Sequence, residues 1–204
     1  MSVLVPIDLS DVSAMAVEIA AAVCLAAGAR EVTVLHATEN RSELAVLGRL
    51  YDLARPLRDA GLRARIRTVA SDPVTAIRLA AAAPGCSFVV MGVCGLGGAG
   101  LDEGCACGAP SAHLHPGRTA AALLRNCPAP VAAVWRNAGD LPADPQVVQM
   151  LRPDGQSATV DALAQLVARA LGPTTSLQLQ SPAAIDSLLH SGPGPLVVVG
   201  GGAD

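Results

Sequence analysis

Cys105, Cys107, His113 and His115 stand within eleven residues of one Gly-rich stretch, AGLDEGCACGAPSAHLHP. Two thiols and two imidazoles are the ligand set that zinc takes in tetrahedral sites. One such ion would order a stretch with little apolar content of its own. Structural zinc pairs usually keep two to four residues between their cysteines. Here a single residue intervenes, which strains chelation of one ion. A thiol pair open to oxidation and an incidental set in a loop are the competing readings. Cys94 nearby is either a further ligand or a small residue among glycines. Cys24, Cys86 and Cys127 fall inside apolar runs, where a free cysteine behaves as a small hydrophobe.

Nothing else in the chain has the spacing of demanding catalysis. There is no GxxxxGK[ST], GxSxG or HExxH motif, and no lysine at all to serve as base or Schiff-base former. His36 closes an apolar run and reads as a buried, satisfied histidine. His190 ends a helical stretch, where a contact with the helix dipole explains it. No residue is named as a catalyst. The formal net charge of −3 and the three aromatics, Tyr51, Phe88 and Trp135, provide neither a basic footprint nor stacking platforms for nucleic acid. The opening MSVLVPIDLS lacks the basic start of a signal peptide, and Glu18 interrupts the most apolar segment, Ala14 to Ala29. A cytoplasmic protein without a membrane partner is expected.

The chain alternates strands with helices. Val3 to Ile7 is a short apolar run stopping at Asp8, and Asp11 to Ala27 has helical spacing behind Ser10 and Asp11 as candidate caps. Glu31 to Ala37 is a second strand, followed by one helix from Arg41 to Ala60 that stops at Gly61. In Leu62 to Ala70 the alternation of Arg63, Arg65 and Arg67 with Ala64 and Ile66 predicts an edge strand with a solvated face. Pro73 opens a helix to Ala83, and Cys86 to Met91 is a continuous apolar strand of the kind buried on both faces of a parallel sheet. A helix from Gly117 to Asn126 and a strand from Val131 to Trp135 complete a doubly wound parallel α/β sheet.

Residues 137–145, NAGDLPADP, have the composition of a linker. Beyond it, Ile185 precedes LVVVG by the interval at which Ile77 precedes FVVMG, and both stretches follow a Ser and a Pro. The reading is a domain over 1–136 and a partial, degenerate repeat over 146–204. With one strand-helix unit missing from its middle and nothing to supply a final strand, that tail needs to dock on the first domain or on another chain.

VLVPIDLSD, VTVLHATE, SDPVTAI, FVVMGVCGLGG and GRTAAALLRNCPAPVAAV, in that order over residues 1–136, resemble the universal stress protein family. The resemblance implies a five-stranded sheet ordered 3-2-1-4-5, dimerisation through the last strand, a regulatory role with at most slow ATP hydrolysis, and, in one branch, bound ATP. In that order the strand direction of travel reverses between the first and fourth strands, where open parallel sheets hold ligands. Asp8 ends the first strand and offers a carboxylate to a ribose hydroxyl or an adenine amine. The glycines after Met91 let backbone amides approach phosphate. The implied adenine nucleotide (ATP or AMP) site comprises Pro6, Ile7, Asp8, Ala37, Met91, Gly92, Gly95, Gly117, Arg118 and Thr119.

The ATP-binding branch is similar to G-x2-G-x9-G-[S/T], and Gly92 and Gly95 match its first half. Gly117 matches the third glycine, but Arg118 stands where Ser or Thr is expected, Thr119 comes one place late, and 21 residues rather than nine separate Gly95 from Gly117. Arg118 either adds a bidentate phosphate donor or fills the pocket. A homodimer or another protein partner is expected beside the nucleotide. The alternative function is an interaction module whose zinc-clipped loop blocks the pocket.

Overall fold

Alternate residues of the apolar runs point to opposite sides of one sheet, and this period of two builds two cores. Val3, Val5 and Ile7, with Phe88 and Val90, Ala132 and Val134, and Val197 and Val199, join the first. Leu4, Val89 and Met91, Val131 and Ala133, and Val198 join the second. The computed structural model describes residues 1–38, 44–93, 118–135, 146–150, 157–172, 175–179 and 196–201.

The strands are β1 (Ser2–Pro6), β2 (Glu31–Thr38), β3 (Arg63–Ala70), β4 (Cys86–Gly92), β5 (Pro130–Trp135), β6 (Gln146–Met150), β7 (Thr175–Leu179) and β8 (Leu196–Gly201). Between them run α1 (Asp11–Ala27), α2 (Leu44–Leu53), α3 (Arg55–Asp59), α4 (Pro73–Ala81), α5 (Arg118–Arg125) and α6 (Ala158–Leu171). Side chains of α1, α2, α3 and α6 cover the first core, and those of α4 and α5 the second.

Helix α1 forms because Ala16, Val17, Ala20, Val23 and Cys24 recur along one face, all fully buried. Ser10 caps its start by accepting from the Ser13 N–H, and Gly28, at φ 66°, ends it in the left-handed conformation that glycine adopts without strain. Asp72 caps α4 in the same way, accepting from the Thr75 N–H at 2.9 Å, with Pro73 in the first turn. The expected single helix over 41–60 is two among the described residues, α2 and α3. Pro56 falls in the first turn of α3, where its missing N–H costs nothing.

The first five strands take the expected order β3-β2-β1-β4-β5, all parallel, but the sheet does not stop there. It continues through β8, β6 and β7 to eight strands among the described residues. Strand β8 runs antiparallel to β5 from Pro130↔Gly201 to Trp135↔Leu196, and β6 is parallel to both β8 and β7. The edge of β5 at which the resemblance implies a dimer is therefore filled from within the chain. Helix α6 packs against α1. Its Val160, Leu163, Ala164 and Val167 merge into the first core, with Val147 of β6.

Strand β3 is an edge, as its sequence predicts, with Arg63, Arg65 and Arg67 exposed. Arg63 and Arg65 both reach Glu31 Oε1 on the neighbouring strand, at 3.1 and 3.5 Å. Such exposed pairs add at most ~1 kcal/mol each, so the row of charge matters chiefly for keeping other strands away.

Candidate functional site

The turn after β1 is locked before any ligand arrives. Ile7 N–H donates to Leu35 O at 2.8 Å, and His36 Nδ1 lies 2.8 Å from Ile7 O. A carbonyl can only accept, so the proton sits on Nδ1. His36 is buried, as expected, and ties the end of β2 to the peptide that carries Asp8. Leu9 follows at φ 67°, a left-handed conformation rare for a bulky residue. Strain of this kind costs ~1–3 kcal/mol and persists where surrounding contacts over-determine the turn. Here Arg49 Nη2 donates to Leu9 O at 3.3 Å, and the Leu9 side chain packs against the first core.

Asp8 is exposed, and its two carboxylate oxygens are used differently. Oδ1 accepts from Ser10 Oγ and Ser13 Oγ, both at 2.6 Å, and from the Ser10 N–H at 3.1 Å. Ser13 Oγ accepts in turn from the Asp8 N–H at 3.2 Å. Oδ2 receives no hydrogen bond among the described residues. The carboxylate is thus fixed in direction by Ser10 and Ser13 at the start of α1, through one of its two oxygens.

Strand β4 ends beside it. The parallel register Val3↔Phe88 and Leu4↔Val89, carried forward, places Ile7 next to Gly92 and Asp8 next to Val93. Gly92 has its own reason to be glycine, because a Cβ there would meet the Val12 carbonyl carbon, carbonyl oxygen and Cγ1 at 3.0 Å. The end of β4 and the first turn of α1 approach too closely for a side chain between them.

Pro6, Ile7 and Met91 are buried, and Ala37 packs against the core on the α4–α5 side of the sheet, to which Met91 belongs. Helix α5 connects parallel β4 and β5, so Arg118 and Thr119 in its first turn lie at the same end of the sheet as Asp8 and Gly92. Arg118 is exposed. The structure thus brings Pro6, Ile7, Asp8, Met91 and Gly92 together, sets Ala37 on the adjoining strand, and puts Arg118 and Thr119 at the same sheet end.

Gly95 and Gly117 lie outside the described residues, as do Cys94 and the whole candidate zinc set Cys105, Cys107, His113 and His115. Among the described residues no group of three or more His, Cys, Asp or Glu is placed to hold a metal. Among them, too, no helix is long and apolar enough to cross a membrane.

Sequence reasoning missed Ser13, Leu9 and Arg49. The Ser10–Ser13 spacing carried the signal for the first, since a hydroxyl at a cap and another three residues on can bond each other and a preceding carboxylate. A groove of about 370 Å³ opens beside the Leu9 turn, lined by Leu9, Ser10, Ala14, Arg49, Asp52 and Leu53.

No family model and no curated protein matches the sequence. Solved structures do match. A universal stress protein from Archaeoglobus fulgidus DSM 4304 is 15% identical, with 97% of each chain covered and a TM-score of 0.56. Another from Archaeoglobus fulgidus is 17% identical over 65% of this chain and 97% of its own, at a TM-score of 0.50. A functionally unknown protein from Pseudomonas aeruginosa PAO1 is 18% identical over 86% of this chain and 59% of its own, at 0.54. At such identities the agreement is one of fold. The chain has the α/β fold of the universal stress proteins, and the likeness read from its motifs holds at the level of architecture.

Proposed function

We propose that this chain is a regulatory protein of the universal stress protein type that binds an adenine nucleotide, ATP or AMP, at the crevice between the ends of β1 and β4. The supporting observation is the divided Asp8 carboxylate: among the described residues Oδ1 is held by three donors and Oδ2 by none, at the point where strand order reverses. Orienting an acceptor in advance lowers the ordering cost of binding. A ribose hydroxyl or an adenine amine supplies the matching donor. In this reading Ala37 and Met91 supply the apolar wall for the base, and Arg118, exposed at the same end of the sheet, is the candidate bidentate donor to phosphate.

Equilibrium dialysis of the full chain against ATP, ADP and AMP tests the reading. Binding is expected below millimolar ligand, and Asp8→Ala is expected to weaken it roughly tenfold to a hundredfold, the worth of a hydrogen bond to a charged group. Absence of binding at millimolar ligand removes the proposal, and so does an Asp8→Ala protein that folds and binds unchanged. Zinc counted in the same preparation separates this reading from that of a metal-clipped interaction module.

A further inference from the structure

Strand β5 is, taken alone, an unprotected edge. Val131, Ala132, Ala133 and Val134 are wholly buried, and residues 130–135 carry no charge, in contrast to the three arginines along β3. Natural proteins rarely leave such an edge bare, because its unpaired N–H and C=O groups template pairing with another chain. Here β8 covers it over its full length.

The manner of covering is informative. Strands β7, β6 and β8 lie in that order and run parallel to one another, with α6 crossing from β6 to β7. Strands β2, β1 and β4 lie in the same order and run parallel, with α1 crossing from β1 to β2. The two blocks face each other across β5 with strand directions reversed and with α1 and α6 on the same side of the sheet, in one core. Reversed direction and unchanged face are what a two-fold axis normal to the sheet produces, the operation that relates two copies in a symmetric pair.

We infer that β6, α6, β7 and β8 are a built-in second subunit, a degenerate copy of the β1–β4 block that occupies the β5 edge and leaves the chain self-sufficient as a single copy. Its innermost strand, β8, pairs directly with β5. Gly201 sits so close to Leu123 O and Ala129 O that a Cβ would meet both at 3.2 Å, and Val198 packs in the core that α5 covers. The amino-terminal region therefore supplies both the closing strand and the closing helix of the tail.

Amide hydrogen exchange read by NMR on the full chain, at two concentrations about a hundredfold apart, tests this. Amides of residues 131–134 and 197–200 are expected to be equally slow at both, with the sedimenting mass staying at 20.4 kDa. Protection of β5 that grows with concentration, open-chain exchange in β8, or a mass of two chains would each overturn the inference. Val198→Arg, which lodges a charge in the seam, is expected to free β5 and double the mass at the higher concentration. A folded Val198→Arg protein of single-chain mass with β5 still protected would also overturn it. Should that variant not fold, the wild-type exchange rates decide alone.

Discussion

Two seams divide this sheet, and they are built to opposite ends. At the β1–β4 seam the strands run parallel, and beyond the end of β1 stands Asp8, with one carboxylate oxygen that receives no hydrogen bond among the described residues. At the β5–β8 seam the strands run antiparallel, and the last glycine of β8 is pressed against backbone carbonyls of the loop and helix leading into β5. A parallel seam brings two like ends side by side, each followed by a turn into a helix, and leaves room for a ligand. An antiparallel seam pairs the end of one strand with the start of the other and closes. The same apolar β-strand composition ends in the proposed binding site in one place and in closure in the other.

The strongest way to break this comparison is to charge the closed seam. Val199, fully buried opposite Ala132, belongs to the core shared by both halves. Val199→Asp is expected to cost about 4 kcal/mol through an unpaired buried charge. It should lower the melting temperature of the whole chain in one cooperative step, read by calorimetry. Two separate transitions would show instead that the tail is an appendage with its own stability.

The two strand-end glycines sharpen the contrast. Gly92→Ala forces a Cβ to 3.0 Å from Val12 backbone and is expected to cost about 2–3 kcal/mol in urea unfolding. Gly201→Ala meets carbonyl oxygens at 3.2 Å and also holds φ at 74°, and about 1–2 kcal/mol is expected. Nucleotide binding should fall with the first substitution and not with the second.

The smallest effect is alkaline. Burial pushes the Cys24 thiol up to about 12, and burial with Cys127 nearby pushes Cys86 up to about 11, from an ordinary 9.0. The unfolded chain gives up these protons first, so their contribution is whole below pH 9 and is lost as the pH rises toward 11 and 12. Melting temperatures should hold from neutral pH to 9 and then decline, less steeply in Cys24→Ala.

The order β3-β2-β1-β4-β5 was legible only through the resemblance carried by motifs such as VLVPIDLSD and FVVMGVCGLGG, whereas the edge at β3 was legible directly, because Arg63, Arg65 and Arg67 mark it by charge. Asp8 was legible as the first polar residue after an apolar strand. The splitting of α2 from α3 was carried by Pro56 and was overlooked, since helical periodicity continues through it. The pairing of β5 with β8 was not legible. Antiparallel contact between an uncharged strand and a distant Val-rich one leaves no local trace: the dimer edge expected at β5 came from the resemblance, and the docking expected of the tail carried no residue to say where it would fall. Nor did any sequence signal announce the left-handed Leu9, since that conformation is imposed by packing and by Arg49 rather than by the residue itself.

The β5–β8 pairing also has a schedule. A ribosome that has released Trp135 must still add 66 residues before Gly201 emerges, on the order of 3–13 s at usual elongation speeds. Throughout that interval the nascent protein carries a complete five-strand layer with one raw flank, beside sister chains on the same message. Protection arrives last, so conditions that slow translation through the tail should select for aggregates seeded at β5 even when the finished molecule is sound.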